Sequence, residues 1–106
     1  MLDGFIIRGT TPEHEFELPY PVEIVDSVRV TYVQPRGISF TKPAEECVIS
    51  EGKITVALTQ EETFSFDARK KVEVEIRIKL NNDKVVRSEN PIVLRVIDSH
   101  DTEVMA

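Results

Sequence analysis

The sequence predicts an all-β domain, an antiparallel sandwich of about seven to eight strands, on three observations. Val72, Val74, Ile76, Ile78 and Leu80 alternate with Glu73, Glu75, Arg77 and Lys79, a segregation that a period of two achieves and a period of 3.6 does not. Short apolar runs recur at roughly ten-residue spacing, each closed by Gly, Pro or Asn. No helical periodicity lies between them.

Taken in order, Phe5 to Arg8 is a first short run, closed by Gly9-Thr10-Thr11-Pro12. Glu13 to Leu18 puts Phe16 and Leu18 on one face with His14, until Pro19-Tyr20-Pro21 ends it, because proline has no N–H for a ladder. Val28, Val30 and Tyr32 face opposite to Arg29 and Thr31, a half-buried strand that turns at Pro35-Arg36-Gly37 into Ile38 to Lys42. Cys47 to Ser50 and Lys53 to Leu58 read as a hairpin about Glu51-Gly52, where Gly52 supplies the positive φ of a two-residue turn. Ile54, Val56 and Leu58 then face the core. After the Val72–Leu80 strand, Asn81-Asn82-Asp83 turns into Lys84 to Ser88, and Ile92 to Asp98 closes the set. This spacing fits a sandwich of immunoglobulin-like type, without the disulfide or core Trp of antibody domains; a small β-barrel is the alternative. Residues 1–98 form one domain and 99–106 an aperiodic tail.

The chain has 106 residues and 41% hydrophobic content, enough for one folded domain with a core. A net charge of -6 and a pI near 4.9 argue against nucleic acid and against an anionic membrane as partners, both of which recruit clustered Lys and Arg. The single cysteine, Cys47, excludes an internal disulfide, and its neighbour Glu46 disfavours a thiolate, so an inert, partly buried thiol is expected. The N-terminal residues lack the basic and apolar regions of a signal peptide, which points to synthesis and folding in the cytoplasm.

Thr59-Gln60-Glu61-Glu62 carries the one local motif with a mechanism. It fits a capping box in which Thr59 accepts from the N–H of Glu62 and the Glu62 carboxylate accepts from the N–H of Thr59. Glu61 in the first turn favours the helix dipole. A single helical turn near residues 59–63 follows, with Phe64 and Phe66 anchoring the crossover into the core beside Val74, Ile76 and Ile78. Adjacent acids on a helical turn do not face each other, so Glu61 and Glu62 are architecture rather than a working acid pair. His14 and His100 read as surface histidines, since Glu13 and Glu15 point away from His14 and no further metal ligands suggest themselves. Asn81-Asn82-Asp83 lacks the spaced carboxylates of a calcium loop. No cofactor, metal or catalytic group is implied, and an enzyme is the least supported class. The outward row Glu73, Glu75, Arg77 and Lys79 is a solvated sheet face that could also meet a charged partner, and the edge segments could accept a strand from another chain.

Four stretches, "IIRGTTPEHEFELPYPVE", "VRVTYVQ", "ALTQEETFSF" and "KVEVEIRIKLNNDKVVRSENPIVLRV", together cover most of residues 6–97. In this order they resemble a family of small uncharacterised proteins encoded among the structural genes of phages and prophages of Gram-positive bacteria. The most specific signatures are Arg8-Gly9-Thr10-Thr11-Pro12 and Leu58-Thr59-Gln60-Glu61-Glu62-Thr63. The chain departs from the family's usual form in its acidic tail after Ile97 and in Pro35-Arg36, so no tail-mediated contact is carried over. The resemblance implies a virion or assembly component of the tail, baseplate or connector region. Such a component would dock onto other phage structural proteins in a homo-oligomeric or symmetric assembly and be located in the virion. Two other readings stay open: a small acidic inhibitor of a host defence protein, and a carbohydrate-binding tail-tip module, for which Tyr20 and Tyr32 are the only tyrosines.

Overall fold

A computed structural model describes residues 4–89 and 92–105. It contains nine strands: β1 (Gly4–Ile7), β2 (Glu13–Glu17), β3 (Val25–Val33), β4 (Ser39–Lys42), β5 (Cys47–Ser50), β6 (Lys53–Ala57), β7 (Val72–Leu80), β8 (Val85–Arg87) and β9 (Ile92–Ile97). One short helix, α1 (Gln60–Phe64), joins β6 to β7, and single 3-10 turns occupy Val22–Ile24 and Ala44–Glu46. The expected Asn90-Pro91 lead into the last strand lies outside the described residues.

The strands form two separate sheets rather than a closed barrel. The larger has six strands in the order β1-β9-β7-β3-β4, with β8 also paired to β7; the smaller has three, β2-β6-β5. The alternation that predicted β7 becomes a burial pattern, with Val72, Val74, Ile76, Ile78 and Leu80 inward. Against them pack Ile54, Val56 and Leu58 from the smaller sheet and Val28, Val30 and Tyr32 from β3. One expectation needs correction. The pairing is not wholly antiparallel, because β1 runs parallel to β9. These strands come from opposite ends of the described chain, so no tight hairpin constrains their direction.

Tight turns set the registers. Glu51 and Gly52 both have positive φ, 52° and 76°, the pair of left-handed residues that a two-residue hairpin between twisted strands demands. Arg36 and Asp83 also adopt positive φ, with Gly37 N–H donating to the Gln34 carbonyl and Asp83 N–H to that of Leu80. At the far end the Asn81 side chain donates to the Glu23 carbonyl at 2.6 Å. The β7–β8 turn is thereby tied to the crossover from β2 to β3.

Phe66 and Phe64 part company. Phe66 is 1% exposed and stacks on Phe40 with centroids 5.6 Å apart, while Phe40 stacks on Tyr32 at 5.4 Å. Phe64 is only half-buried and lies outside the core cluster, which corrects its expected role as a core anchor. As the last residue of α1 it is directed to the β1–β2 loop, whereas Phe66, after the helix end, turns inward. The tail also differs from a frayed end: Met105 N–H donates to the Gln60 side-chain oxygen, and the Gln60 amide returns a bond to the Met105 carbonyl, both at 2.9 Å.

Replacing Phe66 by Ala should lower the unfolding free energy by about 3–5 kcal/mol in a urea titration. Phe64→Ala should cost less, about 1–2 kcal/mol. Equal losses would contradict the separate placement of the two rings.

Candidate functional site

The most concentrated polar chemistry lies around α1. Thr59 caps the helix through both halves of a capping box, with Glu62 N–H donating to Thr59 Oγ1 at 3.1 Å and Thr59 N–H to Glu62 Oε1 at 2.8 Å. Glu62 has a second task that its local sequence does not reveal. The same Oε1 lies 2.7 Å from the Nζ of Lys42, a lysine buried at the end of β4. Burial pushes the Glu62 carboxyl up, but the bonds from Lys42 and Thr59 outweigh it and hold it below its ordinary value. Glu61 remains exposed, so the two adjacent acids do not converge.

Thr63 is wholly buried, and its hydroxyl needs partners in the absence of water. It accepts from Gly9 N–H at 2.9 Å and donates to the Thr10 carbonyl at 2.8 Å, with the Gln60 carbonyl a longer alternative acceptor at 3.2 Å. Arg8 adds a bond from Nη2 to the Phe64 carbonyl at 2.9 Å, an ion pair with Asp98 at 2.6 Å, and a guanidinium placed 5.8 Å from the Phe64 ring centroid. Leu58 N–H donates to the Pro12 carbonyl at 3.0 Å. The two stretches that stand out in the sequence, Arg8–Pro12 and Leu58–Thr63, are therefore docked on one another. Gly9 is required twice in this clasp: its φ is 81°, and a Cβ there would overlap the Phe64 ring.

His14 is not the surface histidine its polarity suggested. It shares the inward parity of Phe16, is half-buried, and places Nδ1 2.7 Å from the Tyr32 hydroxyl, while its buried Nε2 has no partner. Desolvation lowers the imidazole pKa and raises that of the Tyr32 phenol. His100 is exposed, and no group of three or more metal-ligating side chains occurs among the described residues. Burial is also the main reason the Cys47 thiol is raised, with Glu46 adding to it. An open cleft of about 490 Å³ lies between Phe16, Tyr20, Ile76, Val86 and Ile92, with Arg87 and Glu89 at its rim. Tyr32 belongs to the core and Tyr20 to this cleft, so the two tyrosines do not form a platform for a sugar.

The outward row of β7 divides into two halves. Glu73 and Glu75 are half-buried, whereas Arg77 and Lys79 are exposed. Glu75 pairs with Arg87 at 3.0 Å, and Lys79 stands 3.9 Å from Asp26 and 3.7 Å from Asp83. Arg77 is flanked by Arg29 on β3 and Arg87 on β8, directly opposite in register. On the same face β1 ends the sheet, with Phe5 58% and Ile7 38% exposed. Among the described residues no helix is long and apolar enough to cross a membrane. Comparison with family models, curated proteins and solved structures returned no match for this chain.

Gly9→Ala should destabilise the fold by at least about 1 kcal/mol more than Gly52→Ala. Both positions have positive φ, but only Gly9 has a ring against it. Equal urea midpoints for the two variants would remove the clasp's tight contact.

For His14 the folded imidazole has a lowered pKa, so the unfolded chain binds the proton more readily. Its contribution is complete above the ordinary imidazole value of 6.5 and is lost as pH falls through that value towards the folded one. Glu62, Asp67 and Asp98 have lowered carboxyl pKa values and act at lower pH. Urea midpoints should therefore fall between neutrality and mild acid, and His14→Gln should flatten that stretch of the profile. An unchanged slope in the variant would exclude His14 as its source.

Proposed function

We propose that the chain is a structural protein–protein interaction module of a phage particle, in the tail, baseplate or connector region. The observation that carries this reading is the β1 edge. Among the described residues β1 pairs with β9 alone, so its other side has no strand partner there, and Phe5 and Ile7 stand exposed beside it. Open edges that lack charges or proline are places where a second chain adds a strand. The occupant we assign to it is an extended apolar segment of a neighbouring particle protein, hydrogen-bonded along β1 with side chains over Phe5 and Ile7.

The interior supports the same reading in a different way. The motif residues most suggestive of chemistry, Arg8, Thr59, Glu62 and Thr63, have partners within the fold. What they leave for a partner is surface. The resemblance of these motifs to phage structural-gene products supplies the particle.

Mass spectrometry of purified particles should find the chain at a small, fixed copy number relative to the major capsid protein. A Phe5→Asp variant should fold normally by circular dichroism yet be lost from particles. Absence of the wild-type chain from particles, or normal incorporation of the variant, would count against this assignment.

A further inference from the structure

Rows of opposite charge lie on the two outer faces of the sandwich, arginines abreast on one and glutamates in line on the other. The larger sheet turns Arg29, Arg77, Lys79, Arg87 and Arg95 outward beside Glu73, Glu75 and Asp26 of its strands, on a chain whose net charge is -6. The smaller sheet turns Glu13, Glu15 and Glu17 outward, all exposed, with Lys53 the one cation beside them on its strands. Each arrangement depends on strand pairing, and neither is a run of like charge in the sequence.

The arginines are the more telling half. Arg29, Arg77 and Arg87 stand abreast on three neighbouring strands, Arg77 opposite both others. Like charges directly opposite one another destabilise a sheet. Glu75 offsets this for Arg87 at 3.0 Å, whereas among the described residues neither Arg29 nor Arg77 has an ion pair. Glu45 lines the same surface cleft as Arg29 and Arg77 but makes no ion pair with either among the described residues, so an anionic surface laid over the row would relieve the repulsion.

We propose that copies of this chain stack head to tail, the outer face of the larger sheet covering the outer face of the smaller sheet of the next copy. Glu13, Glu15 and Glu17 of one copy then meet Arg29, Arg77 and Arg87 of its neighbour. The geometry also fixes an orientation. The glutamates follow one another along a strand, spanning about 13 Å, whereas the arginines lie across three strands, spanning about 10 Å. The two rows overlay when the facing strands cross near a right angle, one of the two usual arrangements of packed sheets. Val48 and Val85, 61% and 56% exposed on the two faces, add apolar area to the contact. Because the two faces differ, the contact leaves one of each free at the ends and propagates into a ring or a filament. This stacking rests on reading the chain as an interaction module but not on the particle; centred on β3, β7 and β8, it covers the part of the outer face away from β1, whose backbone edge stays free.

Analytical ultracentrifugation of the full chain tests it. At about 20 mM salt the wild type should form species larger than a dimer, shifting towards monomer at about 500 mM salt, where screening shortens to a few ångströms. Arg77→Glu and Glu15→Arg should each weaken self-association at least about tenfold, with folding checked by circular dichroism and with Arg29→Glu and Glu17→Arg as a second pair. Mixed in equal amounts, Arg77→Glu and Glu15→Arg should form a one-to-one complex and nothing larger, since each retains the face the other lacks. A wild type that stays monomeric, stops at a salt-insensitive dimer, or associates equally well in both variants would overturn the proposal. So would capture of duplex DNA by the arginine face without self-association. Stacking in solution by a chain absent from particles would uphold this inference and remove the particle reading; a monomer found in particles would do the reverse.

Discussion

The fold turns on the hydroxyl of Thr63. Two of the connections that carry the chain between the sheets, β1 to β2 and β6 to β7, pass each other at one end of the sandwich, and the Thr63 oxygen joins them through Gly9 and Thr10. Both connections contain backbone groups that neither sheet can satisfy, and a buried N–H without a partner costs as much as a lost hydrogen bond. One side chain answers that requirement on both sides. The contact also explains why a helix of one turn persists where isolated helices of this length do not: α1 is held by its cap, by the Thr63 bonds and by the ring of Phe64 lying on Gly9.

A third crossover converges on the same helix. Lys42 ends β4, just before the chain leaves for the smaller sheet, and its ammonium is bound by Glu62 at 2.7 Å with Glu46 further off at 3.8 Å. A pair this buried gives little net stability once desolvation is counted. What it determines is position, because the ammonium can be buried only where the capped end of α1 supplies a carboxylate. The Glu62 carboxylate serves cap and ion pair through one oxygen, so the two features cannot be separated in the folded chain. Gln34 acts similarly on the loop after α1, donating to the Asp67 and Lys70 carbonyls and accepting from Asp67 N–H. Apart from Arg8 Nε, the side-chain polar groups buried at this end have partners within the fold, and the aromatic stack of Tyr32, Phe40 and Phe66 lies beneath them.

Local pattern made much of this legible. The β7 alternation, the Glu51-Gly52 hairpin and the Thr59–Glu62 cap are each decided by residues within a few positions of one another, and there sequence and structure agree. What was not legible depends on pairing at long range. The parallel union of β1 with β9 has no signature in either strand. Nothing in Arg8–Pro12 names Thr63 as its partner, although both stretches are conspicuous by composition. His14 is instructive because its parity with Phe16 placed it inward while its polarity argued for the surface, and parity won once the Tyr32 hydroxyl was there to receive it. Phe64 and Phe66 are two residues apart and would share a face in a strand, but the helix end between them breaks that rule. Arg29, Arg77 and Arg87 are unremarkable singly, and only the registers of β3, β7 and β8 bring them abreast.

The division between what the fold uses and what it leaves exposed bears directly on function. Among the described residues the buried side-chain polar atoms have partners within the fold except His14 Nε2 and Arg8 Nε. The adjacent acids of the Thr59–Thr63 stretch illustrate this: one is consumed by Thr59 and Lys42, and the other points to solvent. The surface, by contrast, carries unresolved terms. Among the described residues the apolar β1 strand has a neighbour on one side, and Arg29 and Arg77 of the basic row make no ion pair. These surfaces differ in physics, one reading backbone hydrogen bonds and apolar area, the other charge. The two proposed contacts use different parts of the molecule, the row on β3, β7 and β8 for a copy of the chain and the backbone edge of β1 for a different partner.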